Sequence, residues 1–206
     1  EKDDIMEVMF VVDTTGSMWD EMNYLQSEMI DVFDKIKKAN PNTIVRVAVM
    51  CYRDLTDAYI TKYSDFTTDI ASQQAFLEKQ TASGGGDFEE AVDIALSEAC
   101  DKNWSNSSST KLIIHVADAP AHQKDVNSWC NTTLKLASKG IHVLTVASSG
   151  INKLTEYYFR CQSMLTGGRY IYLTDDSGVG NSHLVPTIAE NQPVEYLNDL
   201  LVRVIS

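Results

Sequence analysis

Short apolar runs alternate with amphipathic stretches of helical period along nearly the whole chain, and no other feature of the sequence restricts the fold as much. Strand and helix signals in that order build βαβ units, whose parallel strands need helices on both faces. Strands are expected at residues 7–12, 44–52, 58–66, 111–116, 141–147 and 169–173. Between them, Met18, Met22, Leu25, Met29, Phe33 and Ile36 recur at three- and four-residue spacing, which marks one buried face of a long helix. That helix ends near Lys37-Lys38, before Asn40-Pro41, with cations at the negative end of its dipole. Further helices are expected over 70–80, 88–100, 125–139, 153–166 and 193–205. The run 58–66 follows a turn at Asp54 to Asp57, so a hairpin should add one antiparallel edge strand. The fold expected is therefore α/β, doubly wound, with a mostly parallel central sheet and helices on both faces.

At 206 residues the chain is long enough for one such domain and its core, and residues 1–206 are taken as a single domain. A net charge of −12 with no cluster of Lys or Arg argues against nucleic acid as a partner. No apolar run approaches the length of a membrane span. The chain opens at Glu1 without a leader, as a domain cut from a longer protein would. Four cysteines form no CxxC pair, and the histidines His115, His122, His142 and His183 lack ligand-like spacing, so they are expected to be structural or solvated. Cys51 should be a small buried hydrophobe, while Cys130 and Cys161, on successive helices, are candidates for pairing if the chain is secreted.

Chemistry concentrates where strands should end. Asp13-Thr14-Thr15-Gly16-Ser17 follows the first strand, Asp118 follows the strand 111–116, and Gly84-Gly85-Gly86-Asp87 precedes a helix. Ligand sites of open α/β sheets form at strand carboxyl ends. Asp13, Thr15 and Ser17 place three oxygen-bearing side chains at alternate positions of one turn. Hard oxygen donors that converge in this way suit Mg²⁺, Mn²⁺ or Ca²⁺. The competing reading is that Ser17 caps the following helix and Asp87 caps the helix 88–100. Asp54, Asp57, Asp175 and Asp176 read as turn formers.

At these residues the sequence resembles a von Willebrand factor type A domain with its metal-ion-dependent adhesion site. Asp13-Thr14-Thr15-Gly16-Ser17 matches that family's Asp-x-Ser/Thr-x-Ser motif, and Asp118 matches its later strand-end Asp. The stretches 84–90 and 172–178 look like bacterial members. The resemblance implies a metal bound directly by Thr15 and Ser17, with Asp13 and Asp118 around it. It further implies a non-enzymatic, cation-dependent adhesion module that receives an oxygen, most simply a carboxylate, from a protein ligand, at an extracellular or cell-surface location. The family commonly has a Thr where this chain offers Asp87. If Asp87 joins the shell, three carboxylates leave the site at about −1 with a divalent ion bound. Two other functions compete. One is a Mg²⁺-dependent phosphotransferase or phosphatase with Asp13 as nucleophile, although Thr14 stands where that motif has Lys. The other is a metal-free interaction scaffold.

Overall fold

The computed structural model describes residues 4–106, 109–173 and 196–205. Strand β1 (Asp4–Asp13) is almost entirely buried beyond its first two residues, as its apolar sequence requires. It pairs in parallel with β2 (Thr43–Tyr52) on one side and with β4 (Ser109–Ala117) on the other. Outside β2 lies β3 (Thr61–Thr67), antiparallel to it, with the register slipping between Val47 and Val49. Beyond β4 come β5 (Ile141–Ala147) and β6 (Tyr170–Tyr172), both parallel. The sheet order is thus β3-β2-β1-β4-β5-β6.

Alternation along β1 divides the core. Met6, Val8, Phe10 and Val12 face one layer, with side chains from α1 (Trp19–Ala39), α2 (Ile70–Glu78) and α6 (Leu197–Ile205). Met9 and Val11 face the other, with α3 (Val92–Cys100), α4 (Val126–Ser138) and α5 (Lys153–Leu165). Helix α1 buries the expected stripe Met22, Leu25, Met29, Phe33 and Ile36, with Lys37 and Lys38 in its last turn. The doubly wound arrangement with one antiparallel edge is the one the sequence implied. Its order reverses at β1, so the carboxyl ends of β1 and β4 flank the crevice where such folds bind ligands.

Several boundaries differ from expectation. The helix expected from 88 begins only at Val92. Glu90 is held instead in a parallel bridge with Ala121, its amide bonded to Pro120 O at 3.0 Å. That extended contact delays the helix, so Asp87 does not cap it. Nor does Ser17 supply a cap: a 3-10 turn, Gly16–Met18, leads into α1 without a side-chain cap bond. Of the last helix, residues 193–195 lie outside the described residues, as do Asp175, Asp176, His183 and most of the stretch 172–178. All four cysteines are free, and Cys51 is buried as expected.

Candidate metal centre at the ends of β1 and β4

Strand β1 ends in Asp13, which is fully buried at the crevice. The chain turns at once, and the turn is held by Asp13 itself: Oδ1 accepts from the Thr15 amide at 2.9 Å and the Thr15 hydroxyl at 2.7 Å. Thr14 points the other way, its hydroxyl donating to Tyr52 O at 2.8 Å, as the alternate spacing required. Beyond β4, Asp118 lies near Ser17 and close enough to Asp13 for its charge to act on that carboxyl. The turn after β1 and the end of β4 therefore lie side by side. Asp13, Thr15, Ser17 and Asp118 lie near one another at these strand ends.

The glycine segment covers this turn. Gly16 N donates to Gly84 O at 3.2 Å, and a Cβ built on Gly85 would lie 3.4 Å from Thr15 Cβ. Gly84 adopts φ +87°, and a Cβ there would sit 2.2 Å from Asp57 Oδ1. Only glycine passes through such a position without displacing Asp57. Asp57 is thus more than a turn former, because it also receives the Gly85 amide at 3.0 Å.

Burial raises the pKa of the Asp13 carboxyl, the Asp118 charge raises it further, and the bonds from Thr15 oppose both. Asp118 is likewise raised, by burial first and by Glu21 second, against the nearby Ser17 hydroxyl. Unpaired negative charge in a low dielectric has this signature. The second oxygen of Asp13 is buried with no hydrogen-bond partner among the described residues, as are Glu21 Oε2, Glu90 Oε2 and Ser148 Oγ. Buried acceptors are seldom left this way. Carboxylate and hydroxyl oxygens are donors of the kind that suit a hard divalent ion.

Sequence reading passed over Glu90. It is 3% exposed, and its carboxyl is pushed up by burial first and by Asp13 second. The three-glycine signal drew attention to Asp87, whereas the glycines deliver Glu90 toward Asp13. Asp87 is exposed and stands with Asp54 and His122. Also missed was Tyr52 at the end of β2, whose hydroxyl bonds His115 Nε2 at 3.0 Å and is near enough to Asp13 to support its charge. His115 Nδ1 meets Gln162 Oε1 at 3.2 Å, so this histidine is structural, as expected. His142 bonds Thr166 O at 2.7 Å and is structural in the same sense.

Residues 7–178 match the family model for the von Willebrand factor A domain. Among curated proteins, a putative ariadne-like RING finger protein of Acanthamoeba polyphaga mimivirus is 27% identical over 82% of this chain and 18% of its own length. The alpha-protein kinase vwkA of Dictyostelium discoideum is 24% identical over 82% of this chain and 27% of its own. The chain spans about a quarter or less of either relative. Among solved structures, the conserved hypothetical protein BatB from Bacteroides thetaiotaomicron superposes with a TM-score of 0.64 at 16% identity, over 82% of this chain and 90% of that one. An aerotolerance-related membrane protein from Bacteroides fragilis gives a TM-score of 0.64 at 15% identity, over 97% and 98%. At such identities the two structures speak for the fold. No helix among the described residues is long and apolar enough to cross a membrane.

Proposed function

The chain belongs to the von Willebrand factor A family, and on that premise we propose that it is a protein-interaction module whose binding depends on a divalent cation, Mg²⁺ or Mn²⁺, at the end of β1. Asp13, Thr15, Ser17 and Asp118 hold the ion. The observation that carries this reading is the fully buried Asp13, whose second oxygen has no partner among the described residues, beside a second carboxyl. A bound cation supplies an open coordination position for an oxygen of a protein ligand, most simply a carboxylate. The residues of the chain do the rest: Asp13 fixes the turn through both Thr15 groups, and Ser17 lies beside Asp118. Glu21 ties α1 to the loop after β5, its Oε1 accepting from the Ser149 amide at 2.9 Å and hydroxyl at 2.6 Å.

We read the module as binding and not catalytic. A phosphotransferase reading would need, besides the metal, a cationic side chain near Asp13 to take up phosphate charge. The nearby Arg53 is instead engaged with backbone, donating to Thr14 O at 3.1 Å and Thr81 O at 2.6 Å. An extracellular or cell-surface location rests on the family resemblance alone, since the names of the curated relatives carry no location. Titration calorimetry with Mn²⁺ tests the reading: one ion per chain is expected, lost in Asp13→Ala with circular dichroism unchanged. A silent titration of the wild type ends it, and turnover of a generic phosphomonoester that requires Asp13 replaces it with the enzymatic one.

A further inference from the structure

Three side chains from three loops meet beside the strand-end site. Asp54 follows β2, Asp87 follows the glycines, and His122 follows β4; their donor atoms lie within 4.8 Å of one another. His122 Nε2 is 2.6 Å from Asp54 Oδ1. Its other ring nitrogen, Nδ1, faces Glu89 Oε2 at 3.5 Å. Glu89 is itself positioned, because the same oxygen accepts from the Gln123 amide at 3.0 Å. An imidazole with one nitrogen among carboxylates and the other backed by a carboxylate has the orientation that metal-binding histidines take.

The charge around this point runs the same way. Glu90, next in sequence to Glu89, keeps a buried oxygen without a partner, and its charge is opposed by Asp13, Asp54 and Asp57. Asp57 sits at the same turn, holding the Asp54 amide at 3.1 Å. Three carboxyls, of Asp54, Asp87 and Glu89, thus act on one imidazole, and the neighbouring Arg53 is turned to backbone carbonyls.

We propose that Asp54, Asp87 and His122 form a second divalent-cation site, for an ion of the Zn²⁺ or Co²⁺ class, separate from the hard-oxygen site at Asp13. An imidazole donor selects such ions over Mg²⁺ and Ca²⁺. Two carboxylate oxygens and one nitrogen supply three of four tetrahedral ligands and leave one position open. Bond lengths of about 2.0–2.1 Å place tetrahedral donors roughly 3.3 Å apart, so the loop of exposed Asp87 must close by about 1.5 Å at most. On binding, His122 coordinates through Nε2, any proton there is released to solvent, and Nδ1–H is donated to Glu89.

The experiment is a Co²⁺ titration of the 206-residue chain in excess Mg²⁺, followed by visible absorption. One Co²⁺ per chain is expected, with the ligand-field bands of a low-coordinate site, displaced by Zn²⁺ and not by further Mg²⁺. His122→Gln and Asp87→Asn should abolish the bands, and Glu89→Gln should weaken binding roughly 10–100-fold. Asp87 is exposed, so its variant keeps the fold and the result cannot be assigned to unfolding. Asp13→Ala should retain the bands while losing the hard-ion site, so this proposal and the proposed function fail separately. No absorption in the wild type, or bands unchanged in both His122→Gln and Asp87→Asn, overturns the site and leaves His122 as the ion-pair partner of Asp54.

Discussion

Strand β1 carries a fully buried acid at each end, and the two are treated in opposite ways. Near the amino end, Glu7 pairs with Arg46, receives the Ser105 amide on both oxygens at 3.0 Å, and accepts from the Ser109 hydroxyl at 3.1 Å. At the carboxyl end, Asp13 has one oxygen satisfied by Thr15 and the other with no hydrogen-bond partner among the described residues, with Asp118 close by. The same strand thus distinguishes an acid that holds the fold from one held by it. Burial alone says little about function; a buried charge whose partners are missing says more.

The contrast breaks most sharply by mutation. Glu7→Ala leaves Arg46 and the Ser105 amide without their acceptor and should cost about 3–5 kcal/mol in urea unfolding. Asp13→Asn, measured in chelator, should leave stability unchanged or higher, because it removes a charge that burial opposes. Equal losses for the two would erase the distinction between the ends.

A further buried titratable group, His115 on β4, sits beside β1 opposite Val11. Burial holds its pKa down from 6.5 to about 4. Between those values the unfolded chain binds a proton that the folded one refuses. Its contribution is therefore full above pH 6.5 and is lost as pH falls toward 4. Up to about 3 kcal/mol is at stake. His115→Gln should flatten the acid limb of the stability curve relative to wild type, and the difference between the two proteins cancels the carboxyl titrations they share.

Adding the cation should bring the carboxyl end closer to the amino end. At one hundred times its dissociation constant, Mg²⁺ stabilises the wild type by about 2.7 kcal/mol, and Asp13→Asn should lose that increment in thermal melts. The smallest effect is expected at Tyr52. Tyr52→Phe removes a hydroxyl near Asp13 and should weaken Mn²⁺ binding about fivefold, the equivalent of one hydrogen bond of about 1 kcal/mol.

Much of this was legible in the sequence, for reasons specific to each part. Apolar continuity in β1, β2, β4 and β5 and the stripe on α1 report burial directly, so sheet, helices and the antiparallel edge were all readable. Asp13, Thr15 and Ser17 were readable because alternate positions of one turn face one way, and Asp118 because it ends a strand. Glu90 and His122 were not. Glu90 lies in what reads as a helix and is buried only because a bridge to Ala121, thirty-one positions away in the chain, holds it extended. His122 acquires its neighbours from Asp54 and Glu89, and no local spacing encodes a contact among three loops.

The placement of β1 between β2 and β4 also orders how the molecule is made. Its pairing with β2 joins segments about forty residues apart, whereas Ile5 meets Ser109 across roughly a hundred. Loop closure rewards the nearer contact first, so the sheet half from β1 to β3 can form while β4 is still searching. Asp13 belongs to the early half and Asp118 to the late one. The proposed cation site can therefore form only once the two halves have docked, and occupancy by metal would become a report that the chain has finished folding.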